Sequence, residues 1–193
     1  MQHYFGSRID LISNHEAIER LRVYLHSNVS HFVTTPNPEI LLEARRNKAF
    51  QDVLAKSDLG VVDGFGLLLM LRLKGVKVER FTGVDLVAEL ARICACHEKK
   101  MMLIGGENTE PAVKVLKKKN PGLQIASTTG AIVDNDGTEI AEDCTHQQVQ
   151  ATSRKPRNDV INYAPDVLLV GFGAPKQEMW ISKHINEFPS VKI

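Results

Sequence analysis

The feature that most constrains this chain is an alternation. Short apolar runs recur along the sequence, and segments with helical periodicity stand between them. "HFVTT" (31–35), "LGVV" (59–62), "MMLIGG" (101–106), "LQIA" (123–126) and Val167–Val170 read as strands. Strands joined through helices pair by crossover connections, and crossovers favour a mainly parallel sheet covered by helices on both faces. The expected fold is therefore α/β and Rossmann-like. A chain of 193 residues suits one such domain over residues 1–193.

The helical segments carry their own boundary signals. A helix is expected over 36–55, with Asn37 as N-cap and Pro38 at its first position. "FGLLLMLRL" (65–73) reads as a short, very apolar helix. Thr82 to Asp85 resembles a capping box, and Leu86, Leu90 and Ile93 follow on one face. Thr109-Glu110-Pro111 opens a helix that Asn120-Pro121-Gly122 ends. Residues 134–160 are polar, with a weak helical pattern over 138–150, and a last helix is expected from about 175 to 187.

Composition excludes several functions. The formal net charge is +1, so no basic field points to nucleic acid. No run of about 18 apolar residues exists to span a bilayer, which leaves binding at a membrane surface open. The first 13 residues have no apolar core of signal-peptide length. Three cysteines, an odd count, point to free thiols in a reducing compartment. Cys94 and Cys96 are two apart on a helix and share no face, and no second ligand pair has zinc-site spacing, so neither a metal site nor a cofactor is expected.

In parallel sheets ligands bind beyond the carboxyl ends of the strands. Four such ends stand out: 34–37, 63–64, 105–106 and 171–177. The glycine loops "GFGLLL", "GFGAPK" and "GGENTE" miss the dinucleotide fingerprint, and there is no Walker A motif. Each loop either offers backbone N–H groups to an anion or simply makes a tight strand-to-helix turn. Asp63, at the end of an apolar strand, suits a general base or a hydroxyl-binding group, and equally a helix N-cap. Asp134-Asn135-Asp136 is a D-x-D triplet of the kind that holds a metal and a sugar nucleotide, but an Asx turn explains it. Lys114 and Lys117–Lys119 read as a solvated helix face, and Trp180 and Ile181 as anchors of the last helix to the core.

Four stretches then coincide in order: "TTPNPEILLEARRN", "VVDGFGLLLMLRLKG", "ERFTGVDLV" and "LLVGFGAPKQEMWI". Together they closely resemble the WecG/TagA/CpsF family of bacterial glycosyltransferases, over about residues 1–190. The resemblance implies an inverting, metal-independent transferase that moves a sugar, often N-acetylmannosamine or a relative, from UDP to a polyprenyl-diphosphate-linked saccharide acceptor in cell-surface polysaccharide synthesis. On matching positions it makes Asp63 the general base. Thr35, Asn37, Arg80 and Gln177 become substrate-binding residues, with Arg80 meeting diphosphate charge. Gly105 and Gly106 let the backbone approach the nucleotide. It further implies a cytoplasmic enzyme held at the inner face of the membrane, with self-association left open. Family members continue past "FPSVKI" into another strand and a basic, aromatic tail that helps bind membrane and close the site, so the chain is expected to lack that tail. The competing reading, a Rossmann-like nucleotide-binding redox or sensor domain, is disfavoured by the weak glycine fingerprints.

Overall fold

A computed structural model of the chain describes residues 2–4, 6–105, 109–129, 132–140 and 156–193. The chain opens with an antiparallel hairpin, β1 (Gln2–Tyr4) and β2 (Ser7–Ile9), followed by helix α1 (Asn14–Leu25). Strand β3 (Val33–Thr34) leads into α2 (Pro38–Arg46) and α3 (Lys48–Ala55). Strand β4 (Leu59–Gly60) runs parallel to β3 and leads into α4 (Phe65–Leu73) and α5 (Gly83–Cys96). After β5 (Lys100–Ile104) come α6 (Glu110–Lys119), β6 (Gln124–Thr128), a small antiparallel hairpin of β7 (Ile132–Val133) and β8 (Glu139–Ile140), and α7 (Pro156–Tyr163). Strand β9 (Val167–Val170) and α8 (Lys176–His184) end the series, with a 3-10 turn at Ile185–Glu187.

The parallel α/β architecture is the expected one. Strand β5 lies between β6 and β9 and runs parallel to both. Its side chains alternate between two cores, as strand geometry requires. Met101 packs into the layer formed with Leu21 and Leu25 of α1 and Leu86, Leu90 and Ile93 of α5. Met102 and Ile104 face the opposite layer, with Val160 of α7, Trp180 of α8 and Phe188. Helices therefore cover both faces. Each fully buried aliphatic side chain here contributes about 1.5–3 kcal/mol. Trp180 is fully buried, and its indole N–H donates to Glu139 Oε1 at 3.0 Å, so it anchors α8 as expected.

Two expectations need correction. The helix over 36–55 is two helices. Asn47 leaves the helical region at φ −116°, ψ 101°, and its Oδ1 accepts the Phe50 N–H at 3.1 Å, so an internal Asn becomes the N-cap of α3. The weak helix over 138–150 fails where it is described. Glu139–Ile140 is a strand of the β7–β8 hairpin, because Asp134 Oδ1 accepts the Thr138 and Asp136 N–H groups and folds the turn. Residues 141–150, with Cys144 among them, lie outside the described residues. The hairpin β1–β2 and helices α1 and α7 add to the expected series.

The β3–β4 pair and the β6–β5–β9 triplet are joined by the tripeptide Val191–Ile193. Ser30 Oγ donates to Val191 O at 2.6 Å and His31 N to Lys192 O at 2.9 Å, while Leu168 N donates to Ile193 O at 2.8 Å. One extended segment thus bonds to the strand ends of both sheets.

A buried carboxylate fixes the opening hairpin against β4. Asp10 accepts from Arg8 Nε at 2.7 Å, from Arg20 at 3.2 Å and from Gly60 N at 3.0 Å. Gly60 is required there, since a Cβ would sit 2.1 Å from Arg8 O. Burial alone would raise the Asp10 pKa, but Arg8, Gly60 and Arg20 together hold it below the usual aspartate value. A depressed folded-state pKa adds stability above the ordinary aspartate range that is lost as pH falls through the lowered value. Asp10→Asn is expected to lower unfolding free energy by about 2–3 kcal/mol at neutral pH, less than for a fully buried pair because both arginines keep contact with water. Urea denaturation across pH checks this: the gap to the parent chain should close below about pH 4, and a constant gap would contradict it.

Candidate active site

The site is assembled from loops that follow β3 and β4. Asn37 caps α2 through its Oδ1, which accepts the Ile40 N–H at 2.9 Å, so the cap reading holds and its amide N–H groups stay available. The Asp63 N–H donates to Pro36 O at 3.0 Å and ties the two loops together. Gly64 adopts φ +81°, and a Cβ there would lie 3.1 Å from Pro38 Cδ, so a glycine is what lets the Asp63 loop close on the start of α2.

Asp63 is not the N-cap of its own helix. That position belongs to Gly64, which has no side-chain cap. Instead, Asp63 Oδ1 accepts the Gly64 N–H at 2.6 Å and Oδ2 accepts the Gly83 N–H at 3.2 Å. Gly83 is the first residue of α5, whose Thr82–Asp85 capping box is present. The carboxylate therefore faces the positive ends of two helices. The Arg80 guanidinium stands 4.0 Å from Asp63 Oδ1, exposed and free to turn toward a ligand. The geometry gives a fixed carboxylate with an adjacent cation, suited to accepting a proton beside an anionic group.

A cavity of about 310 Å³ opens beside this carboxylate. Thr35 and Gly83 line one side, and a Cβ added at Gly83 would lie 3.8 Å from both Thr35 Oγ1 and Asp63 Oδ2. Gly171, Gln177 and Glu178 line the other. The lower part is apolar, between Val33 of β3 and Leu168–Val170 of β9. Gln177 is oriented by its neighbours: Gly173 N donates to its Oε1 at 3.1 Å, and its Nε2 donates to Glu178 Oε1 at 2.8 Å.

The fold thus brings Thr35, Asn37, Asp63 and Arg80 together, with Gln177 across the cavity. Gly105 stands apart. At φ +102°, a Cβ on it would come within 2.7 Å of Gly171 C, so its glycine character is already explained by packing of one strand end on another. Gly106 lies outside the described residues. The first carboxylate of the D-x-D triplet is occupied by backbone N–H groups in an Asx turn. Cys94 is buried, with its thiol pushed up to about 12 by desolvation, and Cys96 is exposed and free. Among the described residues no group of three His, Cys, Asp or Glu side chains is placed to hold a metal ion, and no helix is long and apolar enough to cross a membrane.

Two residues of the site escaped the sequence reading. Gly83 looked like an ordinary helix start, and only the fold shows its N–H bound to a carboxylate twenty residues earlier. Glu178 is 4% exposed, and among the described residues its Oε2 has no hydrogen-bond partner. Burial raises its pKa to about 7, partly offset by the Gln177 amide. Nothing in the local sequence sets Glu178 apart from the polar Lys176 and Gln177 before it.

A family model described as "Glycosyl transferase WecG/TagA/CpsF family" matches residues 2–193. Among curated relatives, proteins of Staphylococcus aureus strains NCTC 8325, COL and MRSA252 are each 27% identical over 180 residues, covering 91% of this chain. Each is called N-acetylglucosaminyldiphosphoundecaprenol N-acetyl-beta-D-mannosaminyltransferase. The match spans 64% of the length of these relatives.

Glu178 makes a pH prediction. An acid whose folded pKa lies above its unfolded value contributes stability below the unfolded pKa, and that contribution is lost as pH rises through the folded value. With a rise from 4.5 to about 7, the loss amounts to at most about 3 kcal/mol. Glu178→Gln should therefore gain on the parent chain as pH rises from 5 toward 8, measured by chemical denaturation. A pH-independent difference would place the proton elsewhere.

Proposed function

Because the chain belongs to the WecG/TagA/CpsF glycosyl transferase family, we propose that it transfers an N-acetylmannosaminyl or related hexosyl group from a UDP-sugar to a saccharide carried on a polyprenyl diphosphate, with inversion at the anomeric carbon, in cell-surface polysaccharide synthesis. The observation that carries this reading is the Asp63 carboxylate, fixed by the Gly64 and Gly83 N–H groups beside the cavity-lining residues Thr35 and Gly83, with Arg80 at 4.0 Å. Asp63 takes the proton of the acceptor hydroxyl as that oxygen attacks the anomeric carbon. The bond from that carbon to the diphosphate oxygen breaks, and UDP leaves with the electron pair. Arg80 is exposed and only loosely paired, so it turns to the diphosphate, where a planar guanidinium fits the charge.

The polar residues around the cavity position the sugars. Thr35 offers a hydroxyl beside Gly83, and Asn37 keeps its amide N–H groups because only its carbonyl oxygen caps α2. Gln177 is oriented by Gly173 and Glu178 and retains one amide N–H for ligand. For Gly105 and Gly106, approach to the nucleotide rests on the family resemblance alone. The lipid-linked acceptor brings the protein to the cytoplasmic membrane surface.

Turnover of a UDP-sugar panel on a lipid-diphosphate acceptor tests the reading, and absence of transfer with every UDP-sugar would overturn it. Asp63→Asn is expected to cut turnover by about 10²–10⁴, the usual effect of removing a general base. Because both carboxylate oxygens accept N–H bonds, the same change should cost about 1 kcal/mol of stability. Near-normal turnover in folded Asp63→Asn protein would remove it as the base. Arg80→Ala should raise the KM for the UDP-sugar with the melting temperature unchanged. The double variant Asp134→Ala, Asp136→Ala should stay active and insensitive to EDTA, because that triplet is a turn; loss of metal-dependent turnover would assign it a metal.

A further inference from the structure

Helix α4 buries Leu67, Leu68 and Leu71, yet it also turns apolar residues to water. Phe65 is 67% exposed, Leu69 46% and Leu73 80%. Their i, i+4, i+8 spacing makes one stripe along the helix. At the N-terminal end of the stripe stands the site itself, since Asp63 lies two residues before Phe65. Val84, 79% exposed, follows the Gly83 that binds Asp63. Burial of a protein core explains none of these four side chains.

The exposed charges that follow the stripe in sequence are mainly basic, although Asp85 follows Val84. Arg72, Lys74, Lys77 and Arg80 occur within residues 65–80 against the single acid Glu79, and the Glu79 carboxylate accepts the Asn14 N–H at 2.9 Å, at the start of α1. Lys74 lies over the Tyr4 ring at 5.3 Å. Apolar side chains on one helix face with basic residues beside them match an interfacial helix, whose apolar face enters the headgroup boundary while its cations meet anionic lipid.

We infer that the α4 face formed by Phe65, Leu69 and Leu73, with Val84 and the basic residues Arg72, Lys74 and Lys77, docks the protein on an anionic lipid bilayer and sets the mouth of the active site against the membrane. A second copy of the chain suits this face less well. A two-fold contact through it would bring two mainly basic surfaces together, and like charges repel. The inference rests on the proposed lipid-linked acceptor for its purpose, because a saccharide held at the bilayer must reach Asp63. The surface itself rests on exposure and charge alone.

Vesicle co-sedimentation tests it, with one set of vesicles of phosphatidylglycerol and phosphatidylcholine and one of phosphatidylcholine alone. The parent chain is expected to bind the anionic vesicles, more weakly as salt is raised. The triple variant Phe65→Ser, Leu69→Gln, Leu73→Gln should bind about tenfold more weakly with an unchanged melting temperature, since all three side chains are exposed. Arg72→Gln, Lys77→Gln, which leaves the apolar stripe intact, should weaken binding to the anionic vesicles and leave the neutral ones unaffected. Turnover on a vesicle-embedded acceptor should fall in the triple variant, while turnover on a short-chain, water-soluble acceptor stays at the parent value. Vesicle binding is read without any transfer assay, so an inactive chain would sink the transferase reading and leave this surface standing. No binding by the parent chain, equal binding by the parent and both variants, or a lipid-independent dimer in sedimentation velocity that the triple variant abolishes would each overturn the inference.

Discussion

The contact on which the site depends is the one between Asp63 and the start of α5. A carboxylate that bonds its own helix's first N–H would do no more than start α4. By reaching Gly83 N at 3.2 Å it also fixes where α5 begins relative to the β4 loop. Arg80 lies just ahead of that start, and Thr35 lies beside it, so both are positioned by the same bond. A Cβ at position 83 would stand at ordinary contact distance, 3.8 Å, from both Thr35 Oγ1 and Asp63 Oδ2, which shows how closely the three meet.

Much of the fold could be read directly from the chain. The strands at 101–104 and 167–170, the capping box at Thr82 and the helix stop at 120–122 are local signals, and the structure follows them. What escaped were features decided by competition or by distant contacts. Asn47 breaks a periodic helix because its side chain satisfies the Phe50 N–H better than a continued helix would. The hairpin β1–β2 takes its place from Asp10 and Gly60, fifty residues apart. The α1 helix had a readable box in Ser13 and Glu16, and its short polar opening hid it.

The candidate site divides the same way. Asp63 was visible as a carboxylate at a strand end, but spacing alone left base and cap equally open. Only the fold shows that the cap position went to Gly64. Asn37 was legible as a cap, and it is one. Arg80 and Gln177 came from resemblance, since an exposed arginine and a polar first helical turn carry no chemistry of their own in a single sequence. Glu178 was silent because nothing local to the sequence announces a buried carboxyl.

The two halves of the site stand on different sheets. Asp63, Arg80 and Thr35 belong to the β3–β4 side, and Gln177 follows β9 on the other. Below the cavity the sheets are stitched by the backbone of Val191–Ile193, bonded to His31 on one side and Leu168 on the other. Such a stitch ties the two halves together at one end of the cleft, where Val191 and Ile193 also line the cavity. The separation of Asp63 from Gln177 is thus set by a segment at the cleft's base, belonging to neither half alone.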